Sequence, residues 1–128
     1  MASNERLAAA QAIRREVLGA EAPDSAAEWS FAKPFLDLVT EHVYGAVWSR
    51  PGLGRRDRSL INLSMFAALN RPQELALHIG LALNHGVTPE EIREVFMQVA
   101  AYCGGPAGLT GFRAARQVFE KRGLTVAE

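Results

Sequence analysis

Four arginines, Arg50, Arg55, Arg56 and Arg58, surround a Pro-Gly-Leu-Gly loop in the run RPGLGRRDRSL at 50–60. Downstream stand Glu74 and His78, four residues apart, and then YCGGPA at 102–107, which holds the one cysteine of the chain. Guanidinium forks bind carboxylates bidentately. An imidazole beside a carboxylate can move protons near neutral pH. Together these residue types describe a site for a small, multiply anionic substrate and suggest a small enzyme without a cofactor.

Each candidate has a second reading. Glu74 and His78 share a helix face with Leu75, Ile79 and Ala82, so they look inward. They suit general acid or base work, with the carboxylate fixing the imidazole tautomer, but from spacing alone a structural pair holding a core histidine is the more common arrangement. Two substrate carboxylates would need two arginine forks. For Arg55 and Arg56 a solvated basic loop with one or two salt bridges is the better reading, whereas Arg50 and Arg58 flank the loop and are better placed to be fixed by helices. A capping box (Thr88-Pro89-Glu90-Glu91) is enough to explain Glu91 without function, so by itself Glu91 is ambiguous. Cys103 ends an apolar stripe, so burial as a small hydrophobe is expected rather than reactivity. His42 lies among Leu38, Val39 and Val43 and reads as a core or interface histidine. His78 and His85 are seven apart with no third ligand spaced to join them, so no metal site is expected.

Helices must position these groups. Leu7, Ala10, Ile13 (or Arg14) and Val17 recur at helical spacing, predicting a helix from about Asn4 to Leu18 with Gly19 as its stop. A polar loop, EAPDSAAEWS, follows. Pro34 then suits a first helical turn, and Phe35, Leu38, Val39, His42, Val43, Ala46 and Val47 make a stripe ending near Trp48. A third helix opens at Asp57 or Arg58 and runs to about Leu69, apolar on most of its circumference and so expected to be buried on all sides. The fourth runs from Pro72 to about His85, closed by Gly86, and the fifth follows Thr88 to Cys103 with Ile92, Val95, Phe96, Val99 and Ala100 on its apolar face. Gly104-Gly105-Pro106 breaks the chain before a last helix from near Ala107 to about Arg122. No segment alternates like a strand. The fold class is all-α, about six helices with short connections.

Composition sets further limits. A chain of 128 residues fits one domain over residues 1–128. Fourteen basic and fourteen acidic residues cancel, which removes any global attraction to nucleic acid or an anionic membrane. One cysteine makes no internal disulfide, no apolar run reaches a membrane span, and charges within residues 1–19 stand where a signal peptide needs an apolar stretch. A cytoplasmic protein is expected. Two nearly all-apolar helices offer more hydrophobic face than one subunit covers, which predicts a homo-oligomer.

The segments RREVLG at 14–19, FAKPFLDLVTEHVYGAVWSRPGLGRRDRSL at 31–60, ELALHIGLALNHGVTPEEIREV at 74–95 and AAYCGGPA at 100–107 resemble the carboxymuconolactone decarboxylase family nearly end to end. The resemblance implies the alkylhydroperoxidase D-like fold, assembled as trimers or hexamers. It also implies decarboxylation of a small dicarboxylic lactone, γ-carboxymuconolactone, to the β-ketoadipate enol-lactone in protocatechuate breakdown, with no metal or organic cofactor. Carried onto this chain, His78 serves proton transfer, Glu74 orients it, and Glu91 supports as an acid or as wall. Arg50 and Arg58 hold substrate carboxylates, while Cys103, Trp48 and Tyr102 line the pocket.

The chain also departs from that pattern. Redox members of the superfamily carry Cys-x-x-Cys and a histidine four residues later, where this chain has Cys103, Pro106 and Thr110. Without a resolving cysteine, thiol peroxidase chemistry is disfavoured. The family's GVPAAN becomes GGPAGLTGF here, so Gly105, Gly108 and Leu109 alter an expected pocket wall. Tyr44 replaces a common tryptophan and His42 another aromatic residue. These differences leave open a paralogue acting on a related lactone or keto acid, a thiol redox protein centred on Cys103, and a non-catalytic helical oligomer.

Overall fold

The computed structural model describes residues 2–19 and 29–126, so most of the polar loop expected from residue 21 lies outside the described residues. The chain forms two compact units, Met1–Leu53 and Gly54–Glu128. Six α-helices account for the architecture, and no strand occurs among the described residues.

The first unit holds α1 (Ala2–Leu18), a short 3₁₀ turn (Ser30–Ala32) and α2 (Lys33–Thr40), which runs on as a π-helical segment to Trp48. Pro34 sits in the first turn of α2 as expected, and Gly19 ends α1 at φ 61. The π-helical winding was not anticipated: over eight residues its i→i+5 bonding shifts an apolar stripe too little to show in the sequence. α1 packs chiefly on this π segment. A Cβ added at Gly45 would lie 3.1 Å from the Cβ of Ala10, so a glycine facing an alanine permits the close crossing. Ala10, Val17, Leu18 and Trp48 are buried, and Tyr44 stacks on Trp48 with ring centroids 6.3 Å apart. His42, expected in a core or interface, is exposed in the single chain.

The second unit contains α3 (Arg55–Ala68), α4 (Pro72–Asn84), α5 (Pro89–Cys103) and α6 (Gly105–Arg122). Leu63, Leu75, Ile79, Ile92 and Phe96 are fully enclosed and form its centre. Asn70 at φ 56 and Gly86 at φ 88 make the left-handed turns that separate the helices. Thr88 and Glu91 form the expected capping box. α5 and α6 meet through glycines: a Cβ at Gly111 would come within 2.4 Å of the Phe96 ring, and one at Gly108 within 2.7 Å of the Ala100 Cβ. Gly108 is thus a packing residue inside the helix pair rather than part of a pocket wall.

One expectation fails at α3. Only Ser59, Leu63 and Ala67 are buried along it, whereas Ile61 and Met65 are 43% and 47% exposed. The helices of this unit bury one stripe of α3 and partly cover Leu60 and Phe66, while Ile61 and Met65 face outward.

Candidate active site

His78 and Glu74 lie on α4, reached from α3 by the tight turn at Asn70. That connection lays Phe66 of α3 against the imidazole, with ring centroids 4.7 Å apart and planes tilted by 43°. Burial pushes the His78 imidazole down from 6.5 to about 4, and the neighbouring Glu74 charge opposes this only in part. Glu74 itself is exposed. At neutral pH His78 is therefore a neutral imidazole on an apolar ring, able to accept a proton and ready to be raised by an anion placed beside it. Phe66 had no signal in the sequence, because helical spacing tells which residues share a face but not which helices face one another.

The start of α3 carries the arginines. Arg55, Arg56 and Arg58 are half-buried, and the Nε of Arg58 is enclosed. Arg56 Nη2 donates to Glu91 Oε2 at the start of α5, the structural salt bridge considered for this loop. Glu91 is held below the usual carboxylate range, first by the Arg56 hydrogen bond and then by the Thr88 backbone N–H. An ionised, doubly engaged carboxylate is poorly suited to donate a proton. Arg50 and Trp48 belong to the first unit, where Arg50 is exposed and Trp48 buried. In that unit burial raises the Tyr44 phenol above its ordinary value, with Arg14 acting in the opposite direction.

Cys103 corrects an expectation. It is exposed, not buried, and Tyr102 beside it is 85% exposed. Val99 is the last buried residue on that face of α5. Gly104, at φ 100, then turns the chain into α6, so the final turn of α5 projects past the core. Both residues line an open groove of about 490 Å³ between α3 and α5, whose apolar walls include Leu60 and Met65 and whose polar groups include Ser64 and Gln98. His78 is not on its wall. Within the second unit, then, Glu74 and His78 come together on one helix, Glu91 joins Arg56, and Tyr102 joins Cys103. Among the described residues no group of three or more His, Cys, Asp or Glu side chains is arranged to hold a metal ion.

Residues 33–117 match the carboxymuconolactone decarboxylase family. The chain is 42% identical over 97 residues to nitrosuccinic acid decarboxylase of Metarhizium robertsii, covering 74% of this chain and 68% of that protein. It is 35% identical over 114 residues to 4-carboxymuconolactone decarboxylase of Acinetobacter baylyi, covering 88% and 85%. With the all-helical fold, these matches place the protein among the carboxy-lyases. The chain belongs to the carboxymuconolactone decarboxylase family.

Proposed function

We propose that the protein is a cofactor-independent decarboxylase that converts γ-carboxymuconolactone to the β-ketoadipate enol-lactone in cytoplasmic breakdown of aromatic compounds. The observation that carries this reading is His78, a neutral imidazole desolvated against Phe66 with Glu74 one turn before it. It stands in the ELALHIGLALNHG segment, inside the matched residues.

Loss of carbon dioxide leaves an electron pair on carbon, which the conjugated lactone carbonyl delocalises onto oxygen. Catalysis then needs cations that hold the carboxylates, a donor for the developing oxyanion and an acid that returns a proton to carbon. Arg58, at the half-buried start of α3, binds a carboxylate. A bound anion raises the His78 imidazole, which takes up a proton and delivers it to carbon, and Glu74 steadies the imidazolium. In the first unit Arg50 is the candidate for a carboxylate and Trp48 a candidate pocket residue; in the second unit Tyr102 and Cys103 are the candidate pocket residues. Exposed Ile61, Met65 and Tyr102 along α3 and α5 support a homo-oligomer as the working form, a trimer or hexamer being what the family resemblance implies.

A second substrate is favoured by the 42% identity to the nitrosuccinic acid enzyme and by the altered GGPAGLTGF segment. The two acids share a succinate skeleton in which the carbon bearing one carboxyl also bears an electron-withdrawing group. A nitro group accepts the electron pair as a lactone does, so the same arginine and histidine chemistry serves either acid.

The test is an ultraviolet assay in which a cycloisomerase supplies fresh γ-carboxymuconolactone, run beside 2-nitrosuccinate, with wild type, His78→Ala, Arg50→Ala and Cys103→Ser. Turnover that needs His78 and tolerates Cys103→Ser supports the reading, with a loss of about a hundred- to ten-thousandfold for His78→Ala. Preference between the two acids decides the substrate. A folded protein that turns over neither refutes both.

A further inference from the structure

The residue that precedes α3, Gly54, makes no side-chain capping hydrogen bond. The turn is closed by the Arg58 N–H, which donates to Gly54 O at 3.1 Å. One tether from outside is Arg56, whose Nη2 donates to Glu91 Oε2, thirty-five positions further along. The other oxygen of that carboxylate, Oε1, accepts the Thr88 N–H at 3.0 Å, while the Glu91 N–H donates to Thr88 Oγ1 at 3.1 Å. One carboxylate thus caps α5 and ties the start of α3 to it.

Such a geometry leaves Glu91 little freedom. Its rotamer is set by the capping box before Arg56 is considered, so the acceptor offered to Arg56 is fixed in space. A half-exposed ion pair contributes little to overall stability, and its effect lies instead in where it holds the chain. Two residues beyond Arg56 stands Arg58.

We propose that Glu91 is a positioning residue for substrate: by anchoring Arg56 it fixes the first turn of α3 and, with it, the carboxylate-binding Arg58. Glu91 neither touches the substrate nor transfers a proton. The substrate half of this inference rests on the decarboxylase reading, whereas the tether does not.

Glu91→Gln, Arg56→Gln and the double variant of the full chain test it. Glutamine keeps a carbonyl oxygen for the Thr88 N–H, so α5 stays capped while the charged link to Arg56 is lost. Amide hydrogen exchange at Arg58 is expected to quicken about tenfold in each variant, with the amides of the first turn of α5 unchanged. The KM is expected to rise about tenfold with kcat within about threefold, as for a lost interaction of ground and transition state alike. The double variant should match either single one, since both remove the same link. Unchanged exchange at Arg58 overturns the tether. Quicker exchange with an unaltered KM overturns its link to substrate, and a collapse of kcat at constant KM assigns Glu91 to proton transfer instead. Should wild type decarboxylate neither acid, the functional reading fails, and the exchange rates still decide the tether.

Discussion

The lowered imidazole of His78 has a measurable cost in acid. Its folded value of about 4 lies below the 6.5 of an open chain, so between these limits the unfolded state binds more protons than the folded one. Stability contributed by keeping His78 neutral is fully present above pH 6.5 and is lost as pH falls toward 4. Lowering from 6.5 to about 4 corresponds to about 3 kcal/mol in all, of which linkage places about 1.4 by pH 5.5 and about 2.6 by pH 4.5. That is a sizeable share of the roughly 5 to 15 kcal/mol that holds a domain together. Carboxylates titrate in the same range, so the quantity to measure is the difference between wild type and His78→Leu. Leucine keeps an apolar group on Phe66 and removes the proton site. Urea unfolding in steps from about pH 7.5 to 4.5 should show wild type losing the extra increments and the variant not. Parallel stability curves, or an imidazole resonance titrating near the ordinary histidine value, would show that His78 is not desolvated. The acid-base role built on it would fall with that result.

Other consequences follow from packing and exposure. Gly111→Ala drives a methyl into the enclosed Phe96 ring, with its nearest atom 2.4 Å away. Overpacking of about 1 to 3 kcal/mol should outweigh a helix-propensity gain of about 1 kcal/mol, lowering Tm by several degrees. Gly105→Ala meets no neighbour within 4 Å, and thermal melts should show it unchanged or stabilised by up to about 1 kcal/mol. Thr88→Ala removes the acceptor for the Glu91 N–H and should cost about 1 kcal/mol in urea unfolding. Cys103 shares the exposed groove of Ile61, Met65 and Tyr102, so in an oligomer that covers this face it should react with a disulfide reagent more slowly in the native protein than in the unfolded one; equal reactivity would mean that no other copy covers it.

Much of this protein is legible from its residues in order. Helix boundaries fell near their punctuation, because Pro72, Pro89 and Gly86 act through local backbone geometry that needs no tertiary partner. The Thr88 and Glu91 capping box is local in the same sense, as is the shared face of Glu74 and His78. Non-local facts were hidden. That Phe66 is the surface on which His78 loses its water, and that Glu91 reaches Arg56, depend on which helices pack side by side, and periodicity within one helix carries no such information. From the motif alone Gly108 resembles an altered pocket wall, because a glycine in a motif resembles a lining residue. Only the crossing of α5 and α6 shows it to be the space that Ala100 and Phe96 occupy. Apolar neighbours in sequence predict burial for Cys103 and the outer side of α3, yet burial is decided by what the chain brings over them. The sequence by itself determined the helices and the kinds of chemistry they carry; the tertiary structure decided which side chains lose solvent and which charges are paired, since both depend on contacts between distant segments.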